Sequence, residues 1–279
     1  MDKTLKVMSF NLWRGGVRAG QPLSQSAEVM RHADVIGVQE THDGERDSSR
    51  EIASILGWHH FDQGGRTAVI SRFPIARATP GRWGVFVKLN DADEICVVNC
   101  HLAASPYQPY QLLGIPYGQA PFIRTELEAI AWANRARGQQ LDRMLSELAT
   151  VRAAGSPFVV TGDFNEPSHL DWTQAAEDHG LHPLRVRYPA SRRLLAAGGF
   201  DCYRAVHPDP TEHTGFTWTP TTQPDTPGDH HDRIDFVYSS SHFEVLAAAV
   251  VGEAQPQADV VVSPWPSDHR AMRASLRLR

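Results

Sequence analysis

The sequence predicts an α+β fold built as a single domain. Short segments rich in Val, Ile, Phe and Cys, bounded by Gly, Pro or Asp, recur along the chain and read as strands. A few longer stretches carry helical spacing instead. No repeat, low-complexity tract or linker divides the 279 residues, a length that suits one large sheet-based domain.

Taken in order, the strands are predicted at 5–12, 34–40, 67–72, 83–89, 94–101, 157–163, 233–238, 243–251 and 270–277. Helices are predicted over Ser24–His32, Ser48–Leu56 and Ile123–Ala153. In the last, Leu127, Ile130, Leu141, Met144, Leu145 and Leu148 make an apolar stripe, interrupted by Gly138 at a cost of about 1 kcal/mol relative to Ala. Two segments are irregular. Residues 103–122 repeat Pro-Tyr and Pro-Phe pairs directly after His101. Long irregular loops in compact domains are often lids or binding loops, and that reading is preferred over an insertion packed on the outer surface. Residues 220–232 hold Asp225, Asp229, His230, His231 and Asp232. Such residues can bind a transition metal, but a solvated polar loop is the preferred reading.

Several strands end on a polar residue. Val159-Val160-Thr161-Gly162-Asp163-Phe164-Asn165-Glu166-Pro167 is the most telling. In an extended chain, residues i and i+2 share a face. Asp163 and Asn165 then point the same way while Phe164 points to the core. A carboxylate that holds a water and a carboxamide that donates to an oxyanion suit hydrolysis of an anionic ester. Other segments deliver Asn11, Glu40, His101, Asp235, and Asp268 with His269. Taken singly, each has a plainer reading: a solvated Glu after a strand, an Asx turn, a surface Asp-His pair.

Taken in order, these residues resemble the endonuclease/exonuclease/phosphatase superfamily, the DNase I-like metal-dependent phosphoesterases. The resemblance runs from about Val7 to Leu276. Thr67–Ile75 looks like the family's strand before its central hairpin, and Gly215-Phe216-Thr217-Trp218 looks like its Thr-Trp segment. It implies two mixed, mostly antiparallel sheets packed face to face with helices outside. It also implies a function: hydrolysis of a phosphodiester or phosphomonoester by in-line attack of an activated water. Asn11, Glu40 and Asp268 are then expected at a Mg²⁺ site, with Mn²⁺ as a substitute; Mg²⁺ takes few carboxylates and keeps several waters. Asp163 orients or deprotonates the water, Asn165 and His101 contact the phosphoryl group, and His269 does so with its ring held by Asp235. Tyr107, Tyr110, Tyr117, Trp218 and Arg66 are expected to bind the substrate, although Arg66 also reads as an exposed loop arginine.

Composition narrows the substrate. The net charge is −5 and the lysines are only Lys3, Lys6 and Lys88. Proteins that track nucleic acid usually cluster positive charge. A small phosphorylated molecule, such as a lipid headgroup, sugar phosphate or nucleotide, is therefore favoured over DNA or RNA, with a nuclease as the alternative. A module that kept the fold and lost activity is the least favoured. No apolar run is long enough to cross a bilayer, and the first residues lack a signal-peptide layout. Cys96 and Cys100, in one strand, stand about 13 Å apart, beyond the roughly 7 Å a disulfide spans. Buried free cysteines, a cytoplasmic location and a monomer are the expectations.

Overall fold

Alternation along the central strands gives each one two apolar faces. In β1 (Thr4–Asn11), Leu5 and Val7 face one layer while Met8 and Phe10 face another. A sheet that is apolar on both sides must be covered on both sides, and here a second sheet covers one face and helices the other. The computed structural model describes residues 4–279. Residues 1–3, including Lys3 and part of the stretch read for a signal peptide, lie outside the described residues.

After β1 come α1 (Trp13–Gly16), a tight turn whose interior leaves helical geometry, then α2 (Leu23–Met30), β2 (Val35–Gln39), β3 (His42–Asp43), β4 (Arg46–Asp47) and α3 (Ser48–Leu56). The hairpins β5 (His59–Gly64), β6 (Thr67–Ser71), β7 (Ile75–Ala78), β8 (Gly84–Lys88) and β9 (Glu94–His101) follow. Next are α4 (Gln108–Leu113), α5 (Glu126–Ala153), β10 (Phe158–Asp163), α6 (Gln174–Asp178), α7 (Pro189–Ala196), β11 (Phe200–Asp201) and α8 (Cys202–Val206). The chain closes with β12 (Asp235–Ser239), β13 (Phe243–Gly252), β14 (Val260–Val261) and β15 (Ala271–Leu278).

One sheet runs β14-β13-β15-β1-β2-β6-β5 and the other β11-β12-β10-β9-β8-β7. The pairs β1/β2 and β9/β10 are parallel, while β1/β15, β2/β6, β8/β9 and β10/β12 are antiparallel. Val7, Val35, Val97, Val159, Val237 and Leu276 fill the space between the sheets. Helices α2 and α3 cover Phe10 and Ile36 on one outer face. Helices α5 and α7 cover Val98, Val160 and Phe236 on the other. This is the expected sandwich of two mixed sheets with helices outside.

Near one rim the inter-sheet core turns polar. Asn99 in β9 accepts from Gln39 Nε2 at 2.6 Å and from Thr161 Oγ1 at 3.1 Å, and it donates to the Val38 carbonyl at 3.1 Å. Gly37 lets the sheets close there, because a Cβ would stand 1.9 Å from Thr161 Oγ1.

Some expectations need correction. Strands β3, β4, β5, β7, β11 and β14 were not expected. β5 reads His59-His60-Phe61-Asp62-Gln63-Gly64 at a sheet edge, where one side is open and alternation is not required. The last helix begins at Glu126, since Thr125 caps it in a reciprocal box with Glu128. Gly138 does not break it; the nearest atom its missing Cβ would meet is 4.0 Å away. Leu127 faces out, 76% exposed, and the inward stripe runs through Ala129, Ala133 and Arg137 before Leu141, Met144 and Leu148. The 103–122 segment is not irregular throughout, because α4 forms with Pro109 in its first turn and Gly114 as its C-cap. The 220–232 loop is not wholly solvated, since His231 and Asp232 are buried. The strand expected from Arg233 starts at Asp235. All three cysteines are free and buried.

Candidate active site

Register brings the polar strand ends together. Asn11 pairs with Gln39 across β1/β2, His101 with Asp163 across β9/β10, and Asp163 with Asp235 across β10/β12. Glu40 follows β2, and residues 266–269 lead into β15 beside β1. Ser267 ties that loop down: its Oγ donates to the Asn11 carbonyl at 2.7 Å and accepts from the His269 N–H at 3.1 Å. Between these ends lies a cleft with an empty volume of about 690 Å³, its mouth included.

Asp163 forms the floor and is 1% exposed. Its Oδ1 accepts from the Asn165 backbone N–H at 2.9 Å, and its Oδ2 accepts from Asn11 Nδ2 at 2.9 Å. His101 Nε2 and His269 Nε2 lie 3.5 and 3.8 Å from the same Oδ2. Asn165 sits at φ 48°, a left-handed conformation that Asn tolerates. This turns its Nδ2 onto the Leu102 carbonyl at 3.0 Å and leaves its second amide hydrogen for the cleft.

Behind His269, Asp235 Oδ2 lies 2.9 Å from Nδ1. Asp235 is fully buried, and Thr217 Oγ1 accepts from its backbone N–H. Burial alone lowers the affinity of His269 for a proton, but Asp235 and Asp163 outweigh it and raise its pKa to about 10. The two carboxylates thus favour the protonated ring.

Glu40 and Asp268 supply hard oxygens to the same cleft. Glu40 sits at φ 53°, which aims its carboxylate inward; Oε2 accepts from the Arg14 N–H at 2.8 Å. Asp268 Oδ1 is buried without a hydrogen-bond partner among the described residues. Burial pushes the Asp268 carboxyl up to about 6, with His269 opposing and Glu40 adding to the rise. A buried orphan oxygen beside a second carboxylate fits a small dication. Asn11, expected among the ligands, lies beside Glu40, with Nδ2 3.5 Å from its Oε1. Its Oδ1 accepts from the Trp13 N–H at 2.9 Å, and its Nδ2 braces Asp163. Asp163, Asp235 and His269 also lie close enough to share an ion. A hydrogen bond between His269 and Asp235 and an ion pair between His269 and Asp163 already account for that grouping, so Glu40 and Asp268 are the better donors.

One wall is aromatic. Tyr107, Tyr110 and Tyr117 stack edge to face, with centroids 5.0 and 5.7 Å apart. Trp218 lies 5.0 Å from the His269 ring, and its Nε1 donates to Tyr110 Oη at 3.2 Å. The Tyr107 and Tyr110 hydroxyls point away from the cleft, to Asp232 and Asp229. Arg66 is exposed at the β5–β6 turn and does not line the cleft. The sequence reading missed Trp13 and Arg14 at the mouth, Thr217 beneath Asp235, and Arg233. Arg233 is 1% exposed and clamped by Asp171 and Asp201 at 2.8 Å each. Its position directly before Ile234-Asp235 was the available signal.

A two-sheet sandwich with these polar strand ends gathered at one rim is the architecture of the DNase I-like phosphoesterases. The sequence profile of the Endonuclease/Exonuclease/phosphatase family matches residues 8–269, and the chain belongs to that family. An uncharacterised protein of Caenorhabditis elegans, F14F9.5, is 26% identical over 294 residues, covering 97% of this chain and 90% of that one. Among solved structures, an endonuclease/exonuclease/phosphatase protein from Beutenbergia cavernae superposes with a TM-score of 0.61 at 18% identity, covering 99% of this chain and 72% of that one. An AP endonuclease from Archaeoglobus fulgidus gives 0.60 at 16% identity, covering 97% and 98%. TDP2 from C. elegans gives 0.57 at 17%, covering 98% and 75%. These likenesses concern the fold.

Proposed function

We propose that the protein hydrolyses a phosphodiester or phosphomonoester of a small molecule with the help of Mg²⁺, by in-line attack of water. The observation that carries this is one cleft lined by Asp163, His269, Glu40 and Asp268, with Asp235 behind His269. Glu40 and Asp268 hold the ion, for which Mn²⁺ is a substitute. When bound, a dication neutralises phosphoryl oxygens and stabilises the leaving alkoxide. Asp163 accepts a hydrogen bond from the attacking water and draws off its proton. Asn165 donates to a phosphoryl oxygen. His101 and His269 stabilise the charge that grows on the others, while Asp235 keeps the His269 ring aligned. Trp218 and the tyrosines hold the rest of the substrate, and residues 103–122 serve as the wall that selects it. The buried free cysteines support a reducing, cytoplasmic setting. The protein is taken to act as a monomer.

A second reading is a nuclease, which the AP endonuclease among the structural neighbours supports. Net charge −5 and an aromatic wall favour the smaller substrate. The deciding experiment is a Mg²⁺ activity screen of bis-p-nitrophenyl phosphate, p-nitrophenyl phosphate, plasmid DNA and a phospholipid panel, with and without EDTA. Turnover of a generic ester or phospholipid that EDTA abolishes supports the proposal. Cleavage confined to plasmid, falling steeply with salt through Lys and Arg contacts, selects the nuclease. Full activity in excess chelator overturns both.

A further inference from the structure

Behind the aromatic wall lies a second polar cluster that the cleft chemistry does not use. His182, in the connection between α6 and α7, places Nδ1 3.1 Å from Nε2 of His230. That same Nε2 is 3.8 Å from Asp232 Oδ2. The three donor atoms all lie within 4.8 Å of one another. Trp172 stacks on the His182 ring at 4.3 Å and 12°. Its Nε1 donates to Asp232 Oδ1 at 2.8 Å, and Tyr107 donates to Oδ2 at 2.7 Å.

Asp232 is the anomaly. It is 1% exposed, and among the described residues no Lys or Arg forms an ion pair with it. Its two side-chain donors, Trp172 and Tyr107, are neutral, and the charged groups acting on it are carboxylates, Asp171 and Asp229. A buried carboxylate without a cation is costly, so such a group keeps its proton, takes a charged partner or binds a metal.

We propose that His182, His230 and Asp232 form a zinc site separate from the catalytic cleft. Bonds of about 2.0–2.1 Å in a tetrahedral shell put ligand atoms roughly 3.3 Å apart, and the spacings of 3.1 and 3.8 Å bracket that value. Imidazole with carboxylate suits Zn²⁺ far better than Mg²⁺. Trp172 and Tyr107 orient the carboxylate in the way outer hydrogen bonds do at metal centres. Because Tyr107 also lines the cleft, the ion fixes the wall of the active site without touching substrate.

The test uses full-length protein stripped with chelator, then given Zn²⁺ in excess Mg²⁺ and desalted, with bound zinc measured by elemental mass spectrometry. Wild type and Glu40→Gln are expected to retain about one zinc per chain, while His182→Ala and His230→Ala lose it. Zinc should raise the melting temperature of wild type but not of the two histidine variants. Three results overturn the proposal: no zinc on wild type, zinc retained by His182→Ala, or zinc lost only in Glu40→Gln, which puts the ion in the cleft. Should the histidine variants fail to fold, Co²⁺ on wild type decides. Intense visible bands of a four-coordinate nitrogen-ligated ion support the site; the weak bands of an octahedral oxygen-ligated ion refute it. These readouts do not depend on hydrolytic activity, so the zinc site and the proposed function stand or fall separately.

Discussion

Asp163→Asn and Asn165→Ala each alter a polar group at the cleft floor without opening the apolar core. The first is expected to lower kcat by about 10²–10⁴-fold and the second by about 10²–10³-fold. Melting temperatures should change little, and steady-state kinetics beside thermal melts check both; a variant with wild-type kcat sinks that residue's role. Asp268 makes a different prediction. With its carboxyl pushed up to about 6, a proton holds the site below that pH and must leave before Mg²⁺ can bind. Apparent Mg²⁺ affinity should therefore fall as pH drops below about 6 and level off above it. Asp268→Asn should bind more weakly and lose that dependence. Magnesium titrations of activity from pH 5 to pH 8 give the answer. Asp163 was legible in sequence because it ends a strand; Asn165 and Asp268 were legible as positions beside strand ends, although the left-handed turn at Asn165 replaces the expected extended alternation. Asn11 was legible as a position, but not as the brace of Asp163, since its hydrogen-bond partner lies 152 residues away. Arg66 was open between a substrate contact and an exposed loop arginine because the sequence does not say which side of a hairpin turn faces the cleft; the residue is exposed at that turn.

At the scale of elements, the 103–122 segment is held rather than loose. Arg137, buried in α5, donates to the Pro106 carbonyl at 2.9 Å and to Gln108 Oε1 at 2.6 Å. Tyr107 fastens the same segment to Asp232. Tyr107→Phe removes one of two side-chain donors from a buried carboxylate and should cost about 1–3 kcal/mol. Urea unfolding measures it. Tyr117 is 44% exposed at the end of the aromatic row, so Tyr117→Ala should spare the fold. It is expected to raise KM for the natural substrate while leaving kcat/KM for a small generic phosphodiester unchanged, the signature of lost uniform binding. Equal loss on both substrates means the residue supports the catalytic centre instead. Helix α4 was hidden by its prolines, which read as breakers although Pro suits a first helical turn. Edge strands such as β5 were hidden because their polar residues meet solvent on one side. The central strands, apolar on both faces, were plain.

Across the whole molecule, the two halves of the site come from different sheets. Asn11, Glu40, Asp268 and His269 belong with β1, β2 and β15, while His101, Asp163 and Asp235 belong with β9, β10 and β12. Catalytic geometry thus depends on how the sheets sit against each other, and the Asn99 network sets that distance beneath the cleft. Gly37→Ala puts a methyl carbon into Thr161 and Asn99. Overpacking costs about 1–3 kcal/mol and occasionally more, and the same shift should depress kcat in whatever protein still folds. A variant with unchanged stability and kcat means the sheets tolerate separation.

The pairing of β1 with β15 sets Thr4 directly opposite Arg277, so the first and last strands are neighbours in one sheet. The order in which the chain is threaded is then separable from the shape it reaches. A circular permutant that joins these ends with a short linker keeps every strand pair if it is reopened in the exposed turn at Asp91–Ala92. The backbone could be read from a new starting point and still close the same cleft, which makes this scaffold suited to carrying an inserted sensor domain at its former ends.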